Sequence, residues 1–368
     1  MRRVIMIVLS IGVAVGAVAP TAWAAATVSS TADRIPASTN DRVDAMVAIG
    51  NRVYLGGSFT TAGGLSRRGL AAVDAGTGKV VSGWSANVTG TVLSLAASPD
   101  GSTLYVGGSF TKVAGVNRLN LAAVTAATGA LTPWNPGARN GSVIALAVNS
   151  TTVFAGGNFT AAGSTTIGRL AALDRVTGRV DAAFDPHPSS SVNTLRLAGA
   201  TLYVGGKFTT IAGVSRPHLA ALSASSGNAT GWRPKLACPA LDLGLDSSKI
   251  YVACAGGRTN GNSVVAFRTG TTGATSPSWV RSGDGNVQSV TLLAGVVYAG
   301  GHFATMAGAT RHHGAAFDPA TGALLGWAPV FNSALGVWVV RPAGGALWAG
   351  GDFTLVNQVS HAHVARFS

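Results

Sequence analysis

The chain has 368 residues, 50 of them glycine, and a formal net charge of +13, although only 11% of its residues are charged. All 13 acidic residues are aspartate, so the chain lacks glutamate, a good helix former, and its composition favours strands and turns over helices. No run of lysine and arginine resembles a nucleic-acid patch. The positive charge fits either isolated loop arginines or adhesion to anionic polymers.

Residues 1–24 have the pattern of an export signal. Arg2 and Arg3 precede the apolar stretch Ile5–Val18, and Ala22 and Ala24 form a small-x-small cleavage site. The apolar stretch is shorter than the ~20 residues that a membrane span needs. We therefore predict a signal peptide over 1–24 and a secreted, extracellular chain over 25–368 with no membrane association after cleavage.

One short phrase recurs about every 50 residues along the mature chain. The seven copies are Val53–Phe59, Leu104–Phe110, Val153–Phe159, Leu202–Phe208, the degenerate Ile250–Cys254, Val297–Phe303 and Leu347–Phe353. An apolar run precedes each phrase, and a glycine-rich loop, a third strand, a Thr-Gly turn and a short stretch near an aromatic residue follow it. Four strands per ~50 residues predict an all-β, seven-bladed β-propeller in a single domain. The paired glycines are expected where neighbouring blades approach closely.

The two chain ends predict how the ring closes. The last repeat has a third strand at His363–Ser368 but no Thr-Gly turn and no fourth strand. The segment Asp33–Ala37 precedes the first inner strand and has no other assignment. We therefore expect this N-terminal segment to supply the outer strand of the last blade, which would remove exposed sheet edges.

Cys238 and Cys254 are the two cysteines of the chain. Cys238 precedes the degenerate inner strand Ala240–Leu245, and Cys254 ends the next strand after a turn at Ser247-Ser248. The two ends of such a hairpin return together, and export favours oxidation, so we predict a disulfide.

The phrase Gly56-Gly57-Ser58-Phe59, followed by Arg67 and the strand Leu70–Asp74, resembles bacterial delta-sixty-type propeller repeats and the ectodomains of fungal cortical polarity markers. That resemblance implies a secreted or surface propeller without settled chemistry. A weaker similarity to quinoprotein and kelch propellers implies a quinone with calcium, or copper. The chain has no acidic cluster that could hold the calcium of a quinoprotein. Its tyrosines occupy the repeated strand position, which indicates a core role rather than copper binding.

A basic position recurs in the loops after the phenylalanine of the repeated phrase. These candidate ligand-binding residues are Arg67, Arg118, Arg169, Arg216, His218, Arg311, His313, His361 and His363. They could form a ring that binds an anion on one face of the disc, or each arginine could bind carbonyl groups of its own repeat. The repeated Asp74, Asp174 and Asp318 precede turns and are expected to cap them.

Histidines concentrate in the last two repeats. His302, His312, His313 and Asp352 are the candidate metal ligands, because adjacent blades could bring them together, although no spacing among them is diagnostic. No nucleophile elbow or nucleotide loop is present, and we predict no cofactor.

The sequence therefore favours a monomeric, non-enzymatic binding or adhesion propeller, although it does not exclude catalysis. Its ligand would lie on one face or at the mouth of the central channel, and the partner would be an anionic cell-wall polymer, a glycan or a surface protein, not nucleic acid. The alternative is a secreted oxidoreductase that depends on a metal or a quinone, with its site near the last two blades.

Overall fold

A computed structural model describes residues 26–256 and 262–368. The predicted signal peptide, residues 1–24, lies outside the described residues. Over the described ranges the chain consists of strands, turns and loops, with no helix, so the all-β prediction is confirmed. None of these residues forms a helix that is long and apolar enough to cross a membrane.

The strands are short and follow one another closely. In the first half of the chain they are β1 (Val43–Ile49), β2 (Arg52–Gly57), β3 (Thr61–Ala62), β4 (Leu65–Ser66), β5 (Leu70–Asp74), β6 (Val88–Ala97), β7 (Thr103–Val113), β8 (Val116–Asn117), β9 (Leu121–Thr125), β10 (Ala138–Arg139), β11 (Val143–Val148), β12 (Thr152–Gly157), β13 (Ala161–Ala162), β14 (Thr165–Thr166), β15 (Leu170–Asp174), β16 (Val192–Ala198), β17 (Thr201–Gly206) and β18 (Thr210–Ile211). In the second half they are β19 (Val214–Ser215), β20 (Leu219–Ser223), β21 (Trp232–Pro234), β22 (Ala240–Leu245), β23 (Lys249–Cys254), β24 (Ser263–Arg268), β25 (Gly273–Thr275), β26 (Trp279–Ser282), β27 (Val287–Leu293), β28 (Val296–Gly301), β29 (Thr305–Met306), β30 (Ala309–Thr310), β31 (Gly314–Phe317), β32 (Val337–Ala343), β33 (Ala346–Gly351), β34 (Leu355–Val356), β35 (Val359–Ser360) and β36 (Val364–Phe367).

The larger sheets repeat one antiparallel pattern in which the second strand lies between the first and the third. They are β1-β2-β5, β6-β7-β9, β11-β12-β15, β16-β17-β20, β22-β23-β24-β26, β27-β28-β31 and β32-β33-β36. Among the described residues, the predicted fourth strand is formed in this pattern by β26 alone; in five other sheets the chain pairs with the third strand through a single isolated bridge, as between Val73 and Val80. The first strand of each sheet contacts the first strand of the next, and β32 contacts β1. These first strands therefore surround a common space, and the apolar core clusters lie between successive sheets.

Close approach of neighbouring sheets explains the repeated glycine pair. A Cβ built on Gly56 would lie 2.5 Å from Cγ1 of Val92, which belongs to the next sheet. The same sheets are joined by an aromatic pair, because Tyr54 Oη and Trp84 Nε1 donate hydrogen bonds to the carbonyl of Ala126 at 2.6 and 3.0 Å. The recurrent phrase thus serves packing between sheets, as its once-per-repeat occurrence predicts.

The Asp-Thr-Gly turns are capped as expected. Asp74 Oδ1 accepts hydrogen bonds from the Thr77 amide at 2.7 Å and from its hydroxyl at 2.8 Å, and Asp174 and Asp318 cap their turns in the same way. The repeated aspartates are therefore structural.

In the last aromatic pair the N-terminal segment provides the partner groups. Trp327 Nε1 donates to the carbonyl of Ser29 at 3.1 Å, and the amide of Val28 donates to Tyr298 Oη at 2.9 Å. Tyr54 and Trp84 bond to the Ala126 carbonyl, which lies in a turn of the following sheet. Val28 and Ser29 play the same part for Tyr298 and Trp327.

The same segment runs beside β36. The amides of Ser29 and Asp33 donate to the carbonyls of Ser368 and Arg366 at 3.1 and 2.7 Å. Ile35 packs on the core cluster shared by the first and last sheets. The contact with β36 thus begins at Ser29, upstream of the predicted segment Asp33–Ala37. Residues 26–42 form no regular strand, so the outer strand expected there is present as an extended segment with these two backbone hydrogen bonds.

The disulfide predicted between Cys238 and Cys254 is present. Both cysteines are fully buried in the cluster that also contains Trp232 and Leu236. The bond ties the segment before β22 to the end of β23.

Candidate functional site

The recurrent loop arginines bind their own repeats. In each case one guanidinium nitrogen donates to the preceding residue's carbonyl and another donates to a carbonyl fourteen or fifteen residues further on. The residues are Arg67, Arg118, Arg216 and Arg311, and the more distant carbonyls belong to Ser82, Thr132, Thr230 and Leu325 respectively. This geometry matches the structural alternative stated for them, since each arginine ties a loop to the outer part of the same repeat.

Arg169, His218, His313 and His363 occupy equivalent backbone positions with positive φ, between 63° and 72°. Arg169 donates to the Pro188 carbonyl at 3.1 Å, and His363 Nδ1 lies 3.0 Å from the Gly351 carbonyl. Arg169 and His363 thus bond to nearby carbonyls rather than converging as a ring.

Burial reduces the charge that the loop histidines can supply. It lowers the pKa of His218, His313 and His361 below the ordinary histidine value, so these imidazoles are neutral near pH 7. A neutral ring of histidines would not attract an anion.

The candidate metal ligands do not assemble. Across residues 26–256 and 262–368, no group of three or more histidine, cysteine or aspartate side chains could hold a metal ion. The His302 ring instead packs against Trp338 with centroids 5.0 Å apart, and Asp352 accepts a hydrogen bond from the Ser333 hydroxyl at 3.1 Å. His312 is exposed, and His313 is buried in a loop. The described residues therefore do not fit the predicted metal site.

A cavity of about 630 Å³ occupies the space enclosed by the first strands. Each first strand pairs with the second strand of its sheet, which carries the repeated phrase. First-strand residues that pair with the same position of the phrase are therefore equivalent in all seven sheets, and we call each such set a layer. One layer contains Ala45, Ser94, Ala145, Thr194, Asp242, Ser289 and Val339. Another, two residues further along, contains Val47, Ala96, Ala147, Arg196, Gly244, Thr291 and Arg341.

The second of these layers has a polar half and an apolar half. Arg196 and Arg341 come from β16 and β32, while Gly244 and Thr291 come from the two intervening first strands. Of this layer, Val47, Arg196 and Arg341 line the cavity. The second and third sheets contribute Leu93, Leu95, Ile144 and Leu146 to the cavity wall, so that part of the wall is largely apolar.

Asp242 is the point on which the two arginines converge. Its carboxylate lies 2.8 Å from Arg341 Nη1 and 3.3 Å from Arg196 Nη2. It also accepts hydrogen bonds from the Ser289 hydroxyl at 2.7 Å and from the amides of Val290 and Leu243 at 3.1 and 2.9 Å. Four consecutive larger sheets thus contribute to one hydrogen-bonded network.

The network holds three charges of which two are positive. Burial opposes ionisation of Asp242, but Arg341 and Arg196 outweigh it and hold the pKa of Asp242 below its usual value. Burial, together with the neighbouring Arg341, lowers the pKa of Arg196 to about 10, so Arg196 stays protonated at neutral pH. The single carboxylate leaves an excess positive charge on this wall.

A second ion pair lies near the start of β1. Arg42 Nε donates to Asp44 Oδ1 at 2.6 Å, and the Arg42 guanidinium lies 4.3 Å from the centroid of the Trp338 ring. Burial raises the pKa of Asp44 to about 6, against the opposing effect of Arg42. All three residues line the cavity.

The cavity wall carries more basic than acidic groups. Its basic residues are Arg42, Arg196, Lys207 and Arg341, and its carboxylates are Asp44 and Asp242. None of these had been singled out from the sequence as a site residue. The available signal was a charged residue at a first-strand position where other repeats have alanine or valine.

Comparisons with known proteins identify the fold class. A family model described as a domain of unknown function (DUF5122) beta-propeller matches residues 98–122. The WD40 β-propeller domain of Doa1 is similar in structure, with a TM-score of 0.62 and 13% identity, over 94% of this chain and 97% of that one. No curated protein matches the sequence.

Two further solved structures are similar. The computationally designed Ika8 protein has a TM-score of 0.55 and 13% identity over 90% of this chain and 97% of its own. BamB from Moraxella catarrhalis has a TM-score of 0.51 and 18% identity over 89% and 83%. The protein is a repeat-built β-propeller.

Proposed function

We propose that this chain is a secreted, non-enzymatic, seven-bladed β-propeller that binds an anionic cell-wall polymer or glycan at its central channel. The observation that carries the proposal is the cavity between the first strands, whose wall has four basic side chains against two carboxylates. A surplus of positive charge in a concave, partly apolar site attracts an anion and strengthens each contact with it.

Seven blades and their closure are supported by the seven repeats and by the contact between β32 and β1. The hydrogen bonds from Ser29 and Asp33 to β36 support the assignment of the N-terminal segment as the outer strand of the last blade. Arg196 and Arg341 lie on separate sheets, and both contact Asp242 on one wall of the channel.

We place the ligand in the channel rather than on the ring of loop arginines. Two guanidinium nitrogens of each loop arginine donate to carbonyls of its own repeat, so these arginines do not converge on one shared ligand. Of the histidines beside them, His218, His313 and His361 are neutral near pH 7. Lys207, by contrast, is exposed at the edge of the cavity. Its ammonium can meet the first charged group of an entering polymer.

Export is supported by the predicted signal over residues 1–24 and by the buried disulfide, a bond typical of oxidising compartments. Mass spectrometry of the protein recovered from the culture medium tests this part. We expect a mature N-terminus at Ala25, and retention of the intact chain inside the cell would contradict it.

The binding experiment uses isothermal titration calorimetry on residues 25–368 with polygalacturonate as the anionic probe and dextran as the neutral one. We expect binding to polygalacturonate alone, weakened by added salt. Lys207→Gln removes one charge at the channel edge and should weaken binding by about threefold to tenfold.

Lys112→Gln is the matched control, because Lys112 is also exposed and lies outside the cavity. It should leave the affinity unchanged. Equal weakening by the two substitutions would assign binding to the overall charge and refute the channel site. A visible chromophore or stoichiometric metal in the purified protein would instead favour the oxidoreductase alternative.

A further inference from the structure

A second basic cavity lies beside strands β21 and β25. It has a volume of about 450 Å³ and is lined by Ser215, Arg216, Pro217, Arg233, Pro234, Lys235, Leu236, Ala237 and Ala274. The channel cavity shares none of these residues. We call this second cavity the basic cleft.

The basic cleft is formed by an extended segment with strict alternation. Trp232, Leu236 and Cys238 are buried in one core cluster, whereas Arg233 and Lys235 between them are exposed. Side chains two residues apart on an extended strand point to the same side, so both cations face the cleft.

The segment is held firmly in place. Its strand β21 pairs in parallel with β25, and the amide of Lys235 donates to the Thr275 carbonyl at 2.9 Å. Downstream, Cys238 is joined to Cys254. The backbone that presents the two cations is therefore fixed at both ends, which reduces the entropy lost on binding.

Arg216 completes the cleft from the preceding loop. Its guanidinium is oriented by hydrogen bonds to the carbonyls of Ser215 and Thr230 at 2.9 and 3.1 Å. Burial, together with the neighbouring Arg233, lowers the pKa of Arg216. The two arginines thus lie close enough to repel each other.

None of the described residues that line the basic cleft carries a carboxylate to offset this repulsion. Like charges held together by a rigid backbone cost free energy unless an anion joins them. Arginine presents planar N–H groups that suit phosphate oxygens, and lysine adds a point charge. Pro217, Ala237 and Ala274 line the cleft, are exposed, and supply an apolar wall for the organic part of a ligand.

We propose that the basic cleft is a phosphate-binding site that takes the phosphate group of a phosphorylated sugar, polyol or phosphodiester polymer. Arg216, Arg233 and Lys235 contact the phosphate oxygens, and the apolar wall of Pro217, Ala237 and Ala274 contacts the attached carbon chain. This inference depends on its own residues and does not require the channel to bind a ligand.

The test titrates inorganic phosphate and glycerol phosphate into residues 25–368 by calorimetry. We expect binding of both, with glycerol phosphate tighter because it also contacts the apolar wall. Arg233→Gln and Lys235→Gln should each weaken binding by about tenfold, the loss of one charge-assisted hydrogen bond. Both side chains are exposed, so melting temperatures should stay near that of the wild type.

Arg268→Gln is the matched control, since Arg268 is exposed near β25 but lines a different cavity. It should bind phosphate as the wild type does. Absence of phosphate binding by the wild type, or equal weakening by Arg268→Gln and Arg233→Gln, would overturn the proposal. A poly(glycerol phosphate) oligomer that binds more tightly than glycerol phosphate would identify the polymer as the source of the phosphate, and equal affinity would identify the free ester.

Discussion

Replacing Asp242 by asparagine tests the network that joins four sheets at the channel wall. Asp242 is 6% exposed, and its carboxylate lies within 3.3 Å of Arg341 and Arg196. Asparagine keeps the size of the side chain but leaves two guanidinium groups together without a counter-charge. Removing one partner of a buried ion pair costs about 3–5 kcal/mol.

The lower end of that range applies here. The side chains of Arg341 and Arg196 are 22% and 33% exposed to the channel, so water partly screens their charges. We therefore expect Asp242→Asn to lower the free energy of unfolding by about 3 kcal/mol. For a domain of this size that corresponds to a fall in melting temperature of about 4 °C.

The assay is thermal unfolding followed by circular dichroism at pH 7, with Asp181→Asn as control. Asp181 is exposed and caps a turn, so its substitution should change stability by less than about 0.5 kcal/mol. Because the pKa of Asp242 is lowered by folding, its contribution is present above about pH 4 and is lost as the pH falls through its folded pKa. The difference between wild type and variant should shrink in acid. A melting temperature for Asp242→Asn within a degree of the wild type at pH 7 would refute this account of the wall.

Four other expectations follow from the same structure. Burial raises the pKa of Asp44 to about 6, so the wild type should lose stability as the pH rises from about 4 to about 6, and Asp44→Asn should lack this slope in pH-dependent melting curves. Deleting residues 26–33 removes the partners of Tyr298, Trp327 and β36 and should lower the free energy of unfolding by about 5 kcal/mol in urea titrations, whereas an unchanged midpoint would contradict closure by this segment. Gly56→Ala places a methyl group against Val92 and should cost about 1–3 kcal/mol, while Gly83→Ala, which has open space, should cost much less, and similar melting curves for the two would count against tight packing of adjacent sheets. Replacing both Cys238 and Cys254 by serine should cost about 3 kcal/mol for the loop they close, and labelling of the unreduced wild type by a thiol reagent would show that the bond is absent in solution.

Much of the architecture is predictable because each repeat contains its own local signals. The paired glycines, the Asp-Thr-Gly turns and the aromatic residues recur at fixed places, and each has a packing or capping role that depends on adjacent residues or on the next sheet. The disulfide was predictable for the same reason, since a hairpin returns Cys238 to Cys254. Recurrence also indicated correctly that the arginines at the Arg67 position could bind within their own repeats.

The channel network was not predictable in this way. Arg196, Asp242 and Arg341 lie in separate repeats, and their contact depends on how several first strands converge on a common space. The useful signal is a charged residue at a first-strand position where the equivalent residues of most other repeats are uncharged. Arg233 and Lys235 also mark a departure from the repeat, because the parallel pairing of β21 with β25 that presents them occurs where the fifth repeat is degenerate.

The most direct test of the account is a crystal structure of residues 25–368 bound to a short oligogalacturonate. We predict that the first strands of seven sheets enclose one channel and that a carboxylate of the oligosaccharide lies there within hydrogen-bonding distance of Arg196, Lys207 or Arg341. An oligosaccharide bound solely on the outer loops, with the channel filled by water, would contradict the central claim that the basic wall of the channel is the ligand-binding site.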